Sequence, residues 1–165
     1  MANKVSAQCH CGAVQFTVEL SDGFNTIRRC NCSFCRMRGA VVVSAPLSGV
    51  TVLKGKDKLT EYRFNTRTAA HYFCSVCGIY TFHQRRSRPD QYGVNVACIE
   101  YVSPFDFPEV EVSEGTVHPN DGGGGLAGLS AALEAAEALG SGGRAVVVTP
   151  EPLLNACSSA WAQGG

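Results

Sequence analysis

The sequence predicts an all-β domain followed by a tail of different composition. Short apolar segments alternate with polar residues and are separated by Gly, Pro, Asn or Asp, as is typical of strands joined by turns. Seven of the nine cysteines fall into three groups with the close spacing of metal ligands. All 13 Phe and Tyr residues lie at or before Phe107, whereas residues 123–165 contain 19 Gly or Ala and one aromatic residue, Trp161. We therefore predict a metal-binding domain over residues 1–122 and a distinct Gly/Ala-rich segment over residues 123–165.

The composition limits the classes of function. Lysines plus arginines equal aspartates plus glutamates at 14 each, so the net charge gives no basis for nucleic-acid binding. The N-terminal residues contain no apolar run of the kind found in signal peptides, and no segment reaches the length of a membrane span. We expect a cytoplasmic protein without membrane contacts, in which reduced thiols bind metal rather than form disulfides. The oligomeric state is left open.

Alternation of apolar and polar residues places the strands. In the first predicted strand every second residue is apolar: Val14, Phe16, Val18 and Leu20. Ser21-Asp22-Gly23 then predicts a turn. The further predicted strands are Ala40–Ala45, Val50–Leu53, Leu59–Phe64, Ala69–Phe73, Ile79–His83 and Gln91–Ile99. We predict two antiparallel sheets and no helix before residue 122.

The densest chemical feature is Cys30, Cys32 and Cys35, three thiols within six residues. Thiolates are preferred zinc ligands, and a zinc ion with three protein ligands keeps a fourth position open for water or substrate. The alternative is a closed site completed by Cys98, a histidine or Cys157. Spacing alone does not decide between them.

Two flanking pairs together offer four thiolates, the ligand set of a closed structural zinc site. Cys74-x-x-Cys77-Gly78 has the form of a zinc knuckle, in which glycine relieves backbone crowding in a tight turn. Cys9 and Cys11 are predicted to share one face of a strand, since alternate strand residues do so. The alternative is a redox-active dithiol formed by Cys74 and Cys77.

Arginines flank the central cysteines and form a second cluster later in the chain. Cations near three thiolates would offset their negative charge, and arginine pairs well with carboxylates. The flanking residues are Arg28, Arg29, Arg36 and Arg38. For Arg85-Arg86-Ser87-Arg88 a solvated hairpin tip is favoured over a ligand site.

The remaining histidines and cysteines are predicted to be structural. His10 is expected to point away from its neighbouring ligands, and His71 and His83 fit strand positions. Cys98 lies in an apolar run, which predicts that its thiol is buried in the core. Its alternative role is a redox nucleophile.

The tail carries weak signals. Residues 126–139 have apolar spacing that would fit one helix, and residues 145–148 would fit one strand. A disordered tail, or one that derives from an altered reading frame, is equally compatible with the composition. No function is assigned to it.

Four motifs resemble those of the glutathione-dependent formaldehyde-activating enzyme family, which includes centromere protein V. They are Gln8-Cys9-His10-Cys11-Gly12-Ala13-Val14, Arg29-Cys30-Asn31-Cys32-Ser33-Phe34-Cys35-Arg36, Phe73-Cys74-Ser75-Val76-Cys77-Gly78 and Tyr92-Gly93-Val94-Asn95-Val96-Ala97-Cys98. His118-Pro119 also resembles a His-Pro of the family, and the resemblance extends from residue 8 to about residue 119.

The resemblance implies a fold, two zinc ions and a reaction. The fold is a folded-over pair of antiparallel sheets, the Mss4-like fold, also found in zinc-containing methionine sulfoxide reductases. The structural zinc ligands are Cys9, Cys11, Cys74 and Cys77, and the catalytic zinc ligands are Cys30, Cys32 and Cys35. The implied activity is that of a carbon–sulfur lyase, which reversibly joins glutathione and formaldehyde to give S-hydroxymethylglutathione.

Three functions follow from these observations. In the first, the protein is a zinc-dependent carbon–sulfur lyase whose partners are a small thiol such as glutathione and an aldehyde. In the second, it is a non-catalytic binding module stabilised by two closed zinc sites. In the third, it is a redox enzyme that uses Cys98, as methionine sulfoxide reductases use a cysteine.

Overall fold

The computed structural model describes residues 4–116, and most of its regular structure is β-strand. In this range, residues 4–30 and 35–113 form one compact unit, and residues 31–34 belong with residues 114–116 to a second. In the second unit the Asn31 side chain donates to a Glu114 carboxylate oxygen at 2.9 Å and accepts from the Gly115 N–H at 2.7 Å. The predicted boundary at residue 122, the tail helix and the tail strand lie outside the described residues.

Ten strands and one short α-helix are present in residues 4–116. They are β1 (Lys4–Gln8), β2 (Gln15–Glu19), β3 (Arg28–Cys30), α1 (Ser33–Arg38), β4 (Val42–Pro46), β5 (Val50–Lys54), β6 (Leu59–Tyr62), β7 (Ala70–Cys74), β8 (Tyr80–Gln84), β9 (Gln91–Asn95) and β10 (Glu111–Ser113). Four short 3-10 turns join some of them: Leu47–Gly49, Lys56–Lys58, Val96–Cys98 and Pro104–Asp106. No helix in this part of the chain has the length and apolar character needed to cross a bilayer.

The strands form two sheets, which confirms the predicted all-β class. One sheet has the order β1-β2-β5 and the other has the order β10-β3-β4-β9-β8-β7-β6. Every pairing is antiparallel except that of β10 with β3, which is parallel, so the prediction of purely antiparallel sheets was wrong at this edge. Helix α1 was not predicted, because six residues are too few to establish a helical period.

The hydrophobic core lies between the two sheets. Val14, Phe16 and Val18 are fully buried, as their alternation predicted. The Phe16 ring on β2 meets the Phe82 ring on β8 edge to face, with centroids 5.3 Å apart. Burying a side chain such as Phe16 contributes about 1.5–3 kcal/mol, so this contact helps to hold the two sheets together.

On the face of the seven-stranded sheet that points away from the core, polar residues of neighbouring strands lie side by side. Its register aligns Ser44 of β4 with Gly93 of β9, Gly93 with His83 of β8, and His83 with His71 of β7. Alternation along each strand therefore puts these residues opposite the core-facing valines and phenylalanines. Ser44 and His71 are nevertheless only 5% and 3% exposed. We call Ser44, Gly93, His83 and His71 the polar row.

Candidate metal centres

Four cysteines from distant parts of the chain meet in the first cluster. Cys9 follows β1, Cys11 lies in the next turn, Cys74 ends β7, and Cys77 lies in the turn before β8. All four sulfurs lie within 4.8 Å of one another. The Cys9 and Cys11 sulfurs are 3.6 Å apart, and those of Cys11 and Cys74 are 3.8 Å apart.

These spacings fit a tetrahedral zinc ion. Zn–S bonds of about 2.3 Å place the four sulfurs of a tetrahedron about 3.8 Å apart, whereas a disulfide would need about 2.05 Å. The knuckle turn is closed by a hydrogen bond from the Gly78 N–H to the Cys74 carbonyl at 2.8 Å. Gly78 has φ of 73°, a conformation that favours glycine.

The pKa values of the cysteines in this cluster also indicate that a positive ion is needed to stabilise four thiolates. A hydrogen bond from the Ile79 backbone N–H is the main cause that lowers the pKa of Cys77 to about 6. The Ala13 N–H favours the Cys11 thiolate, but burial and the neighbouring sulfurs outweigh it and raise the pKa of Cys11 to about 11. Four adjacent thiolates repel one another, so they ionise together only around a positive ion.

The local structure around Cys9 and Cys11 differs from the prediction. The two residues lie in a turn, in which the Gly12 N–H donates to the Cys9 carbonyl at 3.0 Å, rather than on one face of a strand. His10 is exposed in that turn. The turn brings the two sulfurs together by reversing the chain direction.

The second cluster is formed by Cys30, Cys32 and Cys35. Cys30 ends β3, and Cys35 lies in α1, so a strand and a helix fix the two ends of the six-residue segment. The three sulfurs lie within 4.8 Å of one another, and all three residues are half-buried. Within residues 4–116 no fourth Cys, His, Asp or Glu completes this group. Cys157 and the motif His118-Pro119 lie outside the described residues.

Arg38 places a positive charge directly against this cluster. Its Nη2 donates to the Cys35 sulfur at 3.1 Å, and its Nη1 is 3.3 Å from Nδ1 of His71. The guanidinium carbon lies 3.7 Å from the centre of the Tyr80 ring, a cation–π contact. Arg36, one position from the cysteine, is exposed. Arg38 thus brings positive charge to the sulfurs and connects them to the polar row.

The polar row continues from Arg38 through stacked rings. The centroids of His71 and His83 are 5.1 Å apart, and the Tyr80 hydroxyl contacts Nδ1 of His83 and donates to the Gly93 carbonyl at 3.1 Å. Burial raises the pKa of Tyr80, so its hydroxyl stays protonated. Burial lowers the pKa of His83 well below its usual value, and further groups act in the same direction: His71, Arg38, Arg28 and Arg85.

Sequence reasoning missed Tyr80 and the joint placement of these histidines. No local motif connects them, because the sheet register brings together residues from two strands that lie far apart in sequence from Arg38. Cys98 is only 4% exposed within the hydrophobic core, and burial raises the pKa of its thiol to about 12. A thiol of that kind is a poor nucleophile near neutral pH.

Comparisons with known proteins show a family match and one similar crystal structure. The sequence model of a family described as glutathione-dependent formaldehyde-activating enzyme matches residues 4–112. A crystal structure of a Rhodobacter sphaeroides protein, a structural genomics target, is 56% identical, with a TM-score of 0.65 over 66% of this chain and 99% of that chain. L-aspartate oxidase of Caulobacter vibrioides is 58% identical over 43 residues, which are 26% of this chain and 8% of that protein.

Proposed function

Because this chain belongs to the glutathione-dependent formaldehyde-activating enzyme family, we propose that it is a zinc-dependent carbon–sulfur lyase acting on the adduct of a small thiol and formaldehyde. Family membership supports glutathione and formaldehyde chemistry in general. The observation that carries the more specific proposal is the group of three sulfurs at Cys30, Cys32 and Cys35, with Arg38 donating to one of them.

We assign different roles to the two cysteine clusters. Cys9, Cys11, Cys74 and Cys77 would hold a structural zinc ion, since four thiolates close a tetrahedron. Cys30, Cys32 and Cys35 would hold the catalytic zinc ion, which supplies an open position that favours the thiolate form of the substrate sulfur. We place the activity in the cytoplasm, where thiols remain reduced.

The protein's own residues would contribute a positive charge beside the thiolates and hold the two substrates in place. In the joining direction a carbon–sulfur bond forms, the carbonyl π bond breaks, and the proton lost from sulfur ends on the new hydroxyl oxygen. Arg38 offsets the negative charge of the cysteine thiolates, and its contacts to His71 and Tyr80 hold the guanidinium in one orientation. Holding thiol and aldehyde together removes much of the entropic cost of their encounter.

Exchange NMR on the full, zinc-loaded chain tests the proposal. Mixing glutathione with formaldehyde should give S-hydroxymethylglutathione faster than the uncatalysed reaction does. Cys32→Ser should remove the acceleration, and Cys98→Ser should keep it, which also separates the lyase from the redox alternative. No acceleration by the wild-type protein would remove the proposed substrates.

A binding module with two closed metal sites is the second candidate. Four thiolates in the first cluster are compatible with it. X-ray absorption of the zinc-loaded protein distinguishes the two functions. Four protein ligands on both ions would favour the binding module, and one ion with three sulfur ligands would favour the enzyme.

A further inference from the structure

Two arginine side chains converge beside the polar row, on one hydroxyl group. Arg28 on β3 is only 8% exposed, and its Nη1 donates to Oγ of Ser44 and to the Thr26 carbonyl, both at 3.0 Å. Arg85, which follows β8, donates from its own Nη1 to the same Ser44 oxygen at 3.4 Å and to Oε1 of Gln91 at 2.7 Å. One neutral oxygen is therefore shared between two positive charges.

No carboxylate in residues 4–116 forms an ion pair with either guanidinium. Tyr80, Asp22, Cys30 and Glu111 act on Arg28 through charge without an ion pair, as Asp90 does on Arg85. Nη2 of Arg28 is buried and has no hydrogen-bond partner in this part of the chain. Because a buried charge is costly unless it is paired, a directly bonded anion would stabilise this arrangement.

The electrostatic effect on Arg85 supports the same conclusion. Burial, followed by the charge of Arg28, lowers the pKa of Arg85 to about 10. Arg85 remains a cation at neutral pH, and its repulsion by Arg28 adds to the cost of burial.

We propose that Arg28, Arg85 and Ser44 form a carboxylate-binding subsite that positions the thiol substrate. Two guanidinium groups with free donor capacity and one hydroxyl match the acceptor oxygens of a carboxylate. Arg28 and Cys30 are alternate residues of β3, so they share a face and lie about 7 Å apart along the strand. The subsite thus lies beside the first cysteine of the second cluster. The inference that the ligand is a thiol substrate rests on the proposed function. The inference that the site binds an anion rests only on the two arginines and Ser44.

The test uses S-methylglutathione, which keeps both carboxylates but has no thiol to react. Calorimetric titration into the full, zinc-loaded chain should detect binding. Arg85→Gln should weaken it about tenfold or more, since a charge-assisted hydrogen bond is lost. Arg85→Lys should restore part of the affinity. Arg88→Gln, which changes an exposed arginine in the same segment, should leave binding unchanged.

Two further measurements separate a ligand-binding role from a structural one. If Arg85 serves the ligand, Arg85→Gln should not lower the Tm of the ligand-free protein, because the change relieves repulsion with Arg28. The dimethyl ester of S-methylglutathione should bind wild type and Arg85→Gln equally weakly. Inorganic phosphate, titrated alone, should bind more weakly than S-methylglutathione.

Four results would overturn the inference: undetectable S-methylglutathione binding to wild type, equal binding to Arg85→Gln, ester binding as tight as that of the acid, or tighter binding of phosphate. A large fall in Tm for Arg85→Gln with unchanged binding would show a structural arginine instead. The NMR assay of the proposed function is independent of these titrations, since cysteamine, a thiol without a carboxylate, can replace glutathione in it. Acceleration with cysteamine but no S-methylglutathione binding would reject the subsite and keep the chemistry.

Discussion

Nη2 of Arg38 lies 3.1 Å from the sulfur of Cys35, one helical turn earlier in α1. The same guanidinium contacts His71 and stacks on Tyr80, so it reaches from the second cysteine cluster to the polar row. A hydrogen bond from a cation to a ligand sulfur stabilises the thiolate and fixes its direction.

We therefore expect Arg38→Met to weaken zinc binding at the second cluster. Loss of a partner that orients a metal ligand commonly lowers affinity about 10- to 100-fold. Arg36→Met is the matched control, because Arg36 is exposed in the same helix. Chelator competition on the full chain measures both affinities. Equal zinc affinity in Arg38→Met and wild type would contradict this role.

The first cluster should control the stability of the fold. Its sulfurs link Cys11 to Cys74 across 63 residues, and binding of a structural zinc ion contributes about 10–16 kcal/mol in small zinc domains. Cys74→Ser should lose one of two zinc ions and lower the free energy of unfolding by several kcal/mol. Cys32→Ser should lose the other ion with a much smaller change.

Metal analysis and chemical denaturation of the two variants, side by side, measure these effects. Loss of both ions in either variant would contradict independent sites. Equal destabilisation by Cys32→Ser and Cys74→Ser would contradict the division into structural and catalytic ions.

The cysteine groups were predictable because their members lie two or three residues apart. Strands with clear alternation were predictable too, as in β2, where Phe16 and Val18 enter the core. β3 and β10 were not, because each has three residues and their parallel pairing joins Arg28 to Glu111. Segments of three residues are too short for hydrophobic periodicity to indicate a strand.

The polar row shows the limit of sequence reasoning more clearly. Ser44, Gly93, His83 and His71 become neighbours only through the register of four strands. Arg85 was predicted to lie at a solvated hairpin tip, yet it is half-buried and bonded to Ser44. The sequence Arg85-Arg86-Ser87-Arg88 does not distinguish these arginines. Only the structure shows that Arg85 continues the alternation of β8, whereas Arg88 is exposed.

His83 should make stability depend on pH. Its pKa is about 6.5 in an unfolded chain and well below that in the folded protein. Between those two values the unfolded chain binds the extra proton, so the free energy of unfolding falls as pH decreases below about 6.5, by up to about 1.4 kcal/mol per pH unit. Above about pH 6.5, His83 does not make the free energy of unfolding depend on pH.

Denaturant unfolding from pH 5 to pH 8 measures this dependence as a difference between variants, because zinc release also depends on pH. His83→Gln should have a shallower slope than wild type below about pH 6.5. Identical slopes in His83→Gln and wild type would contradict a His83 that stays neutral below pH 6.5 in the folded protein.

Gly93 should be intolerant of a side chain because the His83 ring fills the space above it. A Cβ at residue 93 would lie 2.4 Å from Cε1 of His83, so the ring would have to move and lose its contact with Tyr80. Gly93→Ala should therefore destabilise the protein by about 1–3 kcal/mol, the usual cost of overpacking. His83→Ala removes the obstructing ring, so the double variant should be more stable than the sum of the single changes predicts. Denaturant unfolding of the four proteins measures this coupling, and strictly additive free energies would contradict the close contact of His83 with Gly93.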